Sequence, residues 1–329
     1  MKKDQQLFSG FSAVTAQEWK NKIIEELRGK PFEDLIWHTR EGFDIRPFYT
    51  AEDLEKIKIS VPQKQNPGWE IRQDFVVMDF GDANKQATDA LQAGADSIGF
   101  DVSKTTLSKS NLQKLLAGID TSIHPVHFTG LKMKSLEKLV SVFTKKTSGS
   151  VEFADFSFEH LQMLAKYARR FPAFRFFTLS EHAFFSFIKS GSGGIPRSEG
   201  EGMGVRLSLS SDYFMEIARL RALRFISAQK NIPVFIHAEN IPQKTAKGDE
   251  HCSILRATTT AMAAVIGGCD SLSLHASPLP GKSRAFSERI YRNIQLLLKH
   301  EAHLDEVINP AAGSYFIEVL TKKIADKCV

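Results

Sequence analysis

Two polar stretches hold most of the side chains that could move a proton or grip an anion. FIHAENIPQKTAKGDEH (235–251) carries His237, Glu239, Asn240 and Lys244. His237 and Glu239 alternate, so on a strand both would face one cavity, as an acid–base pair needs. The same spacing suits a strand-end imidazole bonded to a carbonyl, with the loop charges in water. FTLSEHAF (177–184) puts Ser180 and His182 where a second apolar run ends, and HPVHFTG (124–130) brings His127 to a third. His182 and His127 lack a Cys, Ser or Asp partner at motif spacing. The Gly-rich SGSGGIPRSEGEGMG (190–204) lacks the GxxxxGK[ST] spacing that cradles phosphate, so it reads as a loop. Cys252, Cys269 and Cys328 are too scattered for a disulfide framework or a zinc knot, and no metal site is expected.

The elements that must position these groups follow a rhythm. The chain has 329 residues, 42% hydrophobic and 25% charged, enough for a sizeable core. Its +5 charge is spread at helical spacing rather than clustered, which argues against a nucleic-acid partner. No apolar run approaches the roughly 18–20 residues of a membrane span, and the N-terminus lacks a signal-peptide pattern, so a cytoplasmic location is expected. From Trp69 onward, short β-rich runs alternate with amphipathic stretches. The runs are FVVMDF (75–80), DSIGFDV (96–102), HPVHFTG (124–130), SVEFADF (150–156), FRFFTLS (174–180), VRLSLS (205–210), IPVFIHA (232–238) and CDSLSLH (269–275). Helices are expected between them, for example over 83–94, 134–146, 160–171, 212–231 and 254–268. Eight apolar strands alternating with helices predict an α/β fold, a TIM (β/α)8 barrel. An open doubly wound sheet is disfavoured because no GxGxxG follows the first run.

The first sixty residues differ. Thr15 and Glu18 form a capping-box pattern, with Trp19, Ile23, Ile24 and Leu27 on one helical face. An irregular segment follows, rich in Leu35, Ile36, Trp37, Phe43, Ile45, Phe48 and Tyr49, too apolar for a solvated tail. A polar, Pro/Gly-marked linker over 58–68 then leads into the barrel. The expected division is an N-terminal subunit-contact arm over 1–62 and a barrel over 63–329.

The segments LRATTTAMAAVIGGCDSL, FSERIYRNIQLLLK and NPAAGSYFIE resemble the adenosylcobalamin-dependent methylmalonyl-CoA mutase family, as do ANKQATDALQAGADSIGFDV and DYFMEIARLRALR earlier in the chain. EWKNKIIEELRGKPFEDLIWHTREGFDIRPFYTAEDL resembles the family's N-terminal arm, so the likeness covers nearly the whole chain. It implies a (β/α)8 barrel that threads an acyl-CoA thioester down its axis, an arm that grips a partner subunit, and a separate cobalamin-binding domain. The DxHxxG signature that ligates cobalt does not occur in these 329 residues, so the cobalamin-binding domain is not expected in this chain. Adenosylcobalamin is thus implied for the holoenzyme and not for this chain.

The departures shape the functional expectation. The stretch that supplies a catalytic Tyr and CoA-binding Arg in the family is missing from VPQKQNPGWEIRQDF. The family's SGYH strand end, followed by EAGA, aligns with Ser180, Glu181, His182 and Ala183 and then FFSFIK. Phe235 stands where active chains carry Arg, and Glu239, Asn240 and Ile241 replace the family's Gln-Thr-Ser/Ala-Gly. Phe cannot clamp a phosphate as a bidentate guanidinium does. The resemblance therefore points to the family's small, non-catalytic subunit, paired in a heterodimer with a large catalytic subunit. Trp19, Leu35, Ile36, Trp37 and Phe48 are the expected contacts. No catalytic residue is expected, with His182 and His237 as the only candidates. Ser180, Glu239, Asn240 and Lys244 are candidate contacts to an acyl-CoA. The alternative is a barrel active with a separate cobalamin-binding domain, and a ligand-binding role for the polar 235–251 loop is a third reading. Phe176, Phe177, Phe184, Phe185 and Phe235 would plug the channel if they pointed inward.

Overall fold

The computed structural model describes the chain except residues 1–11, 13, 56, 58, 190–202, 243–250, 280 and 329. Eight parallel strands form the centre. They are β1 (Glu70–Val76), β2 (Ser97–Asp101), β3 (Val126–Leu131), β4 (Gly149–Phe153), β5 in two pieces (Phe174–Arg175 and Thr178–Ser180), β6 (Met203–Leu209), β7 (Val234–Asn240) and β8 (Ser271–Ser273). Each pairs with its sequence neighbour, and β8 pairs with β1. The first piece of β5 pairs with β4 and the second with β6, so the sheet closes on itself through this broken strand. This is the TIM-like barrel expected. Gly149 makes one close approach possible: at φ +134° it lies so near β3 that an added Cβ would sit 1.8 Å from the Val126 carbonyl oxygen.

Helices cover the outside. Those used below are α1 (Ala16–Glu26), α2 (Ala51–Glu55), α3 (Phe80–Gln92), α4 (Lys109–Leu115), α5 (Leu136–Val140), α6 (Leu161–Arg170), α7 (Glu181–Lys189), α8 (Tyr213–Gln229), α9 (Cys252–Gly267), α10 (Arg284–His300) and α11 (Tyr315–Cys328). Outward strand side chains meet them in an aromatic-rich layer: Phe176 packs on Tyr167, Phe171 and Phe174, and Phe128 on Phe100 and Phe143. Among the described residues no helix is long and apolar enough to cross a membrane.

Two expectations need correction. The first strand occupies 70–76 rather than 75–80. Asp79 accepts hydrogen bonds from the Gly81 and Asp82 amides and starts α3 at Phe80, so the second half of FVVMDF is turn and helix. The helix expected over 134–146 is only α5, preceded by a short 3-10 turn. The Thr144 amide donates to Thr147 Oγ1 at 2.9 Å and folds the chain back before the helix can continue.

The capping box forms as its pattern implied, with Thr15 and Glu18 bonded reciprocally at the start of α1. The segment after it docks on α11. Ile45 is buried, Tyr49 meets the ring of Phe316, and Lys323 donates to the Asp44 carbonyl. Helix α1 itself buries no residue; Trp19 stacks on Phe48 yet stays 53% exposed, and Trp37 is 48% exposed. Leu35 is exposed too, whereas Ile36 and Phe48 are half-buried.

One buried pair holds the end of the barrel together. Arg221 on α8, 2% exposed, donates to Glu318 of α11 at 2.6 Å and to Asn309. Glu318 also accepts the Gly313 amide at 3.0 Å. The NPAAGSYFIE segment is thus tied at three points to a guanidinium and a carboxylate.

Candidate functional site

The barrel lumen is built from side chains that alternate along the strands. On β1, Ile71 and Phe75 join the outer core while Glu70, Arg72 and Asp74 face inward. On β7 the inward series is Phe235, His237 and Glu239. Arg206 and Ser208 on β6, Glu152 on β4 and His127 on β3 complete the ring.

At the carboxyl-terminal end Arg206 is held between two acids. Its Nε and Nη2 donate to both oxygens of Glu152 at 2.7 and 2.9 Å, and Nη1 donates to Glu239 at 2.8 Å. Such fork-to-carboxylate pairing is the strongest a side chain offers. Glu239 also accepts from Ser208 at 2.7 Å and from His275 Nε2 at 3.2 Å. Burial alone would raise the Glu239 carboxyl, but the His275 bond and the Arg206 charge bring it down to about 2. Burial works against a charged His275, yet the bond to Glu239 and the charge of Asp74 raise its pKa above the usual imidazole value.

Below this layer Arg72 donates to Asp74 at 2.7 Å, and Ser273 donates to the same carboxylate. Burial opposes ionisation of Asp74, but the Arg72 guanidinium holds it well below the ordinary range. This pair lies directly on β2. A Cβ added to Gly99 would come 1.6 Å from Asp74 Oδ1, so only glycine admits it. His127 is held by Ser150 Oγ at 2.8 Å, with Glu70 at 3.5 Å, and His237 by Ser271 Oγ at 2.8 Å. Burial and the neighbouring Arg72 charge push His127 down to about 4 and His237 well below its usual value, so both rings are neutral. Arg175 lies over the Phe235 ring at 3.7 Å.

Three guanidiniums (Arg72, Arg175, Arg206) and four carboxylates (Glu70, Asp74, Glu152, Glu239) therefore meet in the lumen, with His275 bonded to Glu239 beside them. The space left beside Arg72, Ser150, Thr178, Arg206 and His237 is about 10 Å³. That is room for about one water.

The expected site residues separate accordingly. His237 and Glu239 do share the lumen, and Asn240 sits at its rim, bridging the backbone of His275 through both ends of its amide. Ser180 lies in register with Arg206, but its Oγ accepts the Ala183 amide at 3.4 Å at the start of α7. His182 is exposed on α7. Lys244 lies outside the described residues, as does nearly all of the Gly-rich 190–204 stretch. Of the five Phe considered as a plug, Phe235 is the one that lines the lumen space; Phe176 packs against the α6 aromatics, and Phe184 and Phe185 pack on each other. Among the described residues the lumen space is lined by Phe235 together with paired charges. Sequence reading missed Glu70, Arg72 and Asp74 because they fall between the linker read over 58–68 and the first run read over 75–80. The charged residues alternating with Ile71 and Phe75 in EIRQDF were the available signal.

Comparison with known proteins fits this architecture. A family profile described as methylmalonyl-CoA mutase matches residues 201–329. A methylmalonyl-CoA mutase small subunit of Porphyromonas gingivalis is 33% identical over 99% of this chain and 63% of its own length. That of Streptomyces virginiae is 25% identical over 97% of this chain and 63% of its own length. The mitochondrial methylmalonyl-CoA mutase of Homo sapiens is 25% identical over 94% of this chain and 53% of its own length. The chain thus spans less than two thirds of these relatives. This chain belongs to the methylmalonyl-CoA mutase family, in which it is similar to the small subunits.

Proposed function

We propose that the chain is the barrel part of a small, non-catalytic subunit of an adenosylcobalamin-dependent methylmalonyl-CoA mutase, which pairs with a large catalytic subunit in the cytoplasm and stabilises it. The observation that carries this reading is the double clamp on Arg206. An acyl-CoA passing down the axis would have to displace Glu152, Glu239 and His275 from one another, and burying those charges unpaired is expensive. Among the described residues Glu239 is bonded to Arg206, Ser208 and His275, and His237 to Ser271, so both are already engaged.

Adenosylcobalamin, when bound, supplies radicals by cleavage of its cobalt–carbon bond, and that chemistry needs a roomy, dry cavity at the reacting carbon. The described residues do not fit it. The lumen is occupied by mutually bonded charges, and the candidate imidazoles are either exposed (His182) or bonded to Ser271 (His237). No step through the cofactor is assigned to this chain.

The proposed partner surface is the N-terminal arm, residues 1–62, presenting Trp19, Leu35 and Trp37 from a segment fixed on α11 by Ile45 and Tyr49. Exposed aromatics on a rigid support are good interface anchors. Co-purification with the large subunit tests this. Trp19→Ser with Trp37→Ser should abolish pairing while leaving the chain folded, and unchanged pairing would refute the assignment.

A further inference from the structure

The small space in the lumen is a consequence of strand register. Thr178, on the second piece of β5, lies opposite Gly204 of β6, and Gly204 lies opposite Phe235 of β7. Two residues further along β6, Arg206 is in register with His237, so Gly204 and Arg206 share the inward face. Gly204 puts no side chain between Thr178 and β7. A space of about 10 Å³ is left there, lined by Thr178, Gly204, Phe235 and His237 together with Arg72 and Arg206.

Two polar atoms of residues on this wall have nothing to bond to. Thr178 Oγ1 and His237 Nε2 are both buried, and neither has a hydrogen-bond partner. They come from strands on either side of β6. His237 is 4% exposed, and its other ring nitrogen is held by Ser271 Oγ at 2.8 Å. A neutral imidazole carries one N–H and one lone pair, so Nε2 calls for a donor or an acceptor according to which nitrogen holds the proton; a threonine hydroxyl can use both. The other polar neighbours are engaged: Arg72 with Asp74, Arg206 with Glu152 and Glu239, and Ser150 with His127. The occupant that fits must be about one probe sphere in size and able to donate and accept at once.

We infer that this space is the site of one internal water molecule, which bridges Thr178 Oγ1 to His237 Nε2 and so ties the second piece of the broken strand β5 to β7 across Gly204. Internal waters of this kind are part of a fold, because they satisfy groups that are costly to bury unpaired. The inference rests on the lumen geometry and stands whether or not the chain pairs with a catalytic subunit. The test is crystallographic, on the full chain and its variants, at a resolution that shows ordered water. The parent should show a peak within about 3.2 Å of both atoms. Thr178→Val, which nearly keeps the side-chain volume and removes the hydroxyl, should lose it. Gly204→Ala should lose it as well, since the new methyl carbon would stand 2.5 Å from Thr178 Oγ1 and take the space. Deuteron relaxation dispersion reads the same change in solution, as one long-lived water fewer in Thr178→Val. A parent structure with no peak would overturn the inference. So would a peak that persists unmoved in Thr178→Val, or an ion identified there by anomalous scattering.

Discussion

Arg206 is where the chemistry of single residues decides the character of the interior. Arg206→Met would leave Glu152 and Glu239 facing each other without a counter-charge. Because Arg206 keeps a third of its side chain in reach of water, the expected cost is about 2–3 kcal/mol, below that of a fully buried pair. Urea unfolding measures it. Gly99→Ala should cost at least as much, about 3 kcal/mol, because the new methyl must expel the Asp74–Arg72 pair from its bed on β2. The buried imidazoles make stability depend on pH. In the unfolded chain His127 takes up a proton near pH 6.5, whereas in the fold it stays neutral to about 4. The unfolded state therefore binds more protons in that window, and stability falls as pH drops from 6.5 toward 4, by about 1.4 kcal/mol per pH unit for such a group. His237, also depressed, adds to the loss. His275 has the opposite sign: its contribution is complete below its unfolded value and fades as pH rises through its raised folded one. Chemical denaturation at pH 7 and pH 5 should show the weaker fold at pH 5.

At the scale of elements, the strand–helix alternation was legible because the outer faces of the strands are apolar and the helices amphipathic; VRLSLS and IPVFIHA became β6 and β7 nearly as read. The capping box at Thr15 and Glu18 was legible because it is a local pairing of four residues. The first strand was misplaced because its inward face is charged. Hydrophobic pattern marks a strand by what it buries in apolar surroundings, and Glu70, Arg72 and Asp74 are buried against one another instead. Long-range pairing hid the rest of the site: Arg206 and Glu152 are far apart in sequence, and nothing local in either segment announces the other. The same holds for Arg221, whose partners Asn309 and Glu318 lie in the NPAAGSYFIE segment. Arg221→Met should destabilise the protein by about 3–5 kcal/mol, as a broken buried pair does. Since α11 carries the arm through Phe316 and Lys323, limited proteolysis should then cut the arm faster than in the parent chain.

Across the molecule, the barrel shape and the barrel contents tell different stories. The outer layers, Phe-rich and well packed, are those of an ordinary (β/α)8 barrel, while the described lumen carries guanidiniums, carboxylates and imidazoles, with space for about one water beside Arg206 and His237. On the proposed reading the chain offers its exterior rather than its interior, through the aromatic anchors on the arm. Calorimetric titration of a CoA thioester into the folded chain is the most direct measurement of that distinction. With Arg206, Glu152 and Glu239 locked together, no heat of binding should appear at micromolar thioester, and Arg206→Met should not create a site. Saturable low-micromolar binding by the parent chain, with the thioester lying along the axis in the resulting crystal structure, would contradict the account.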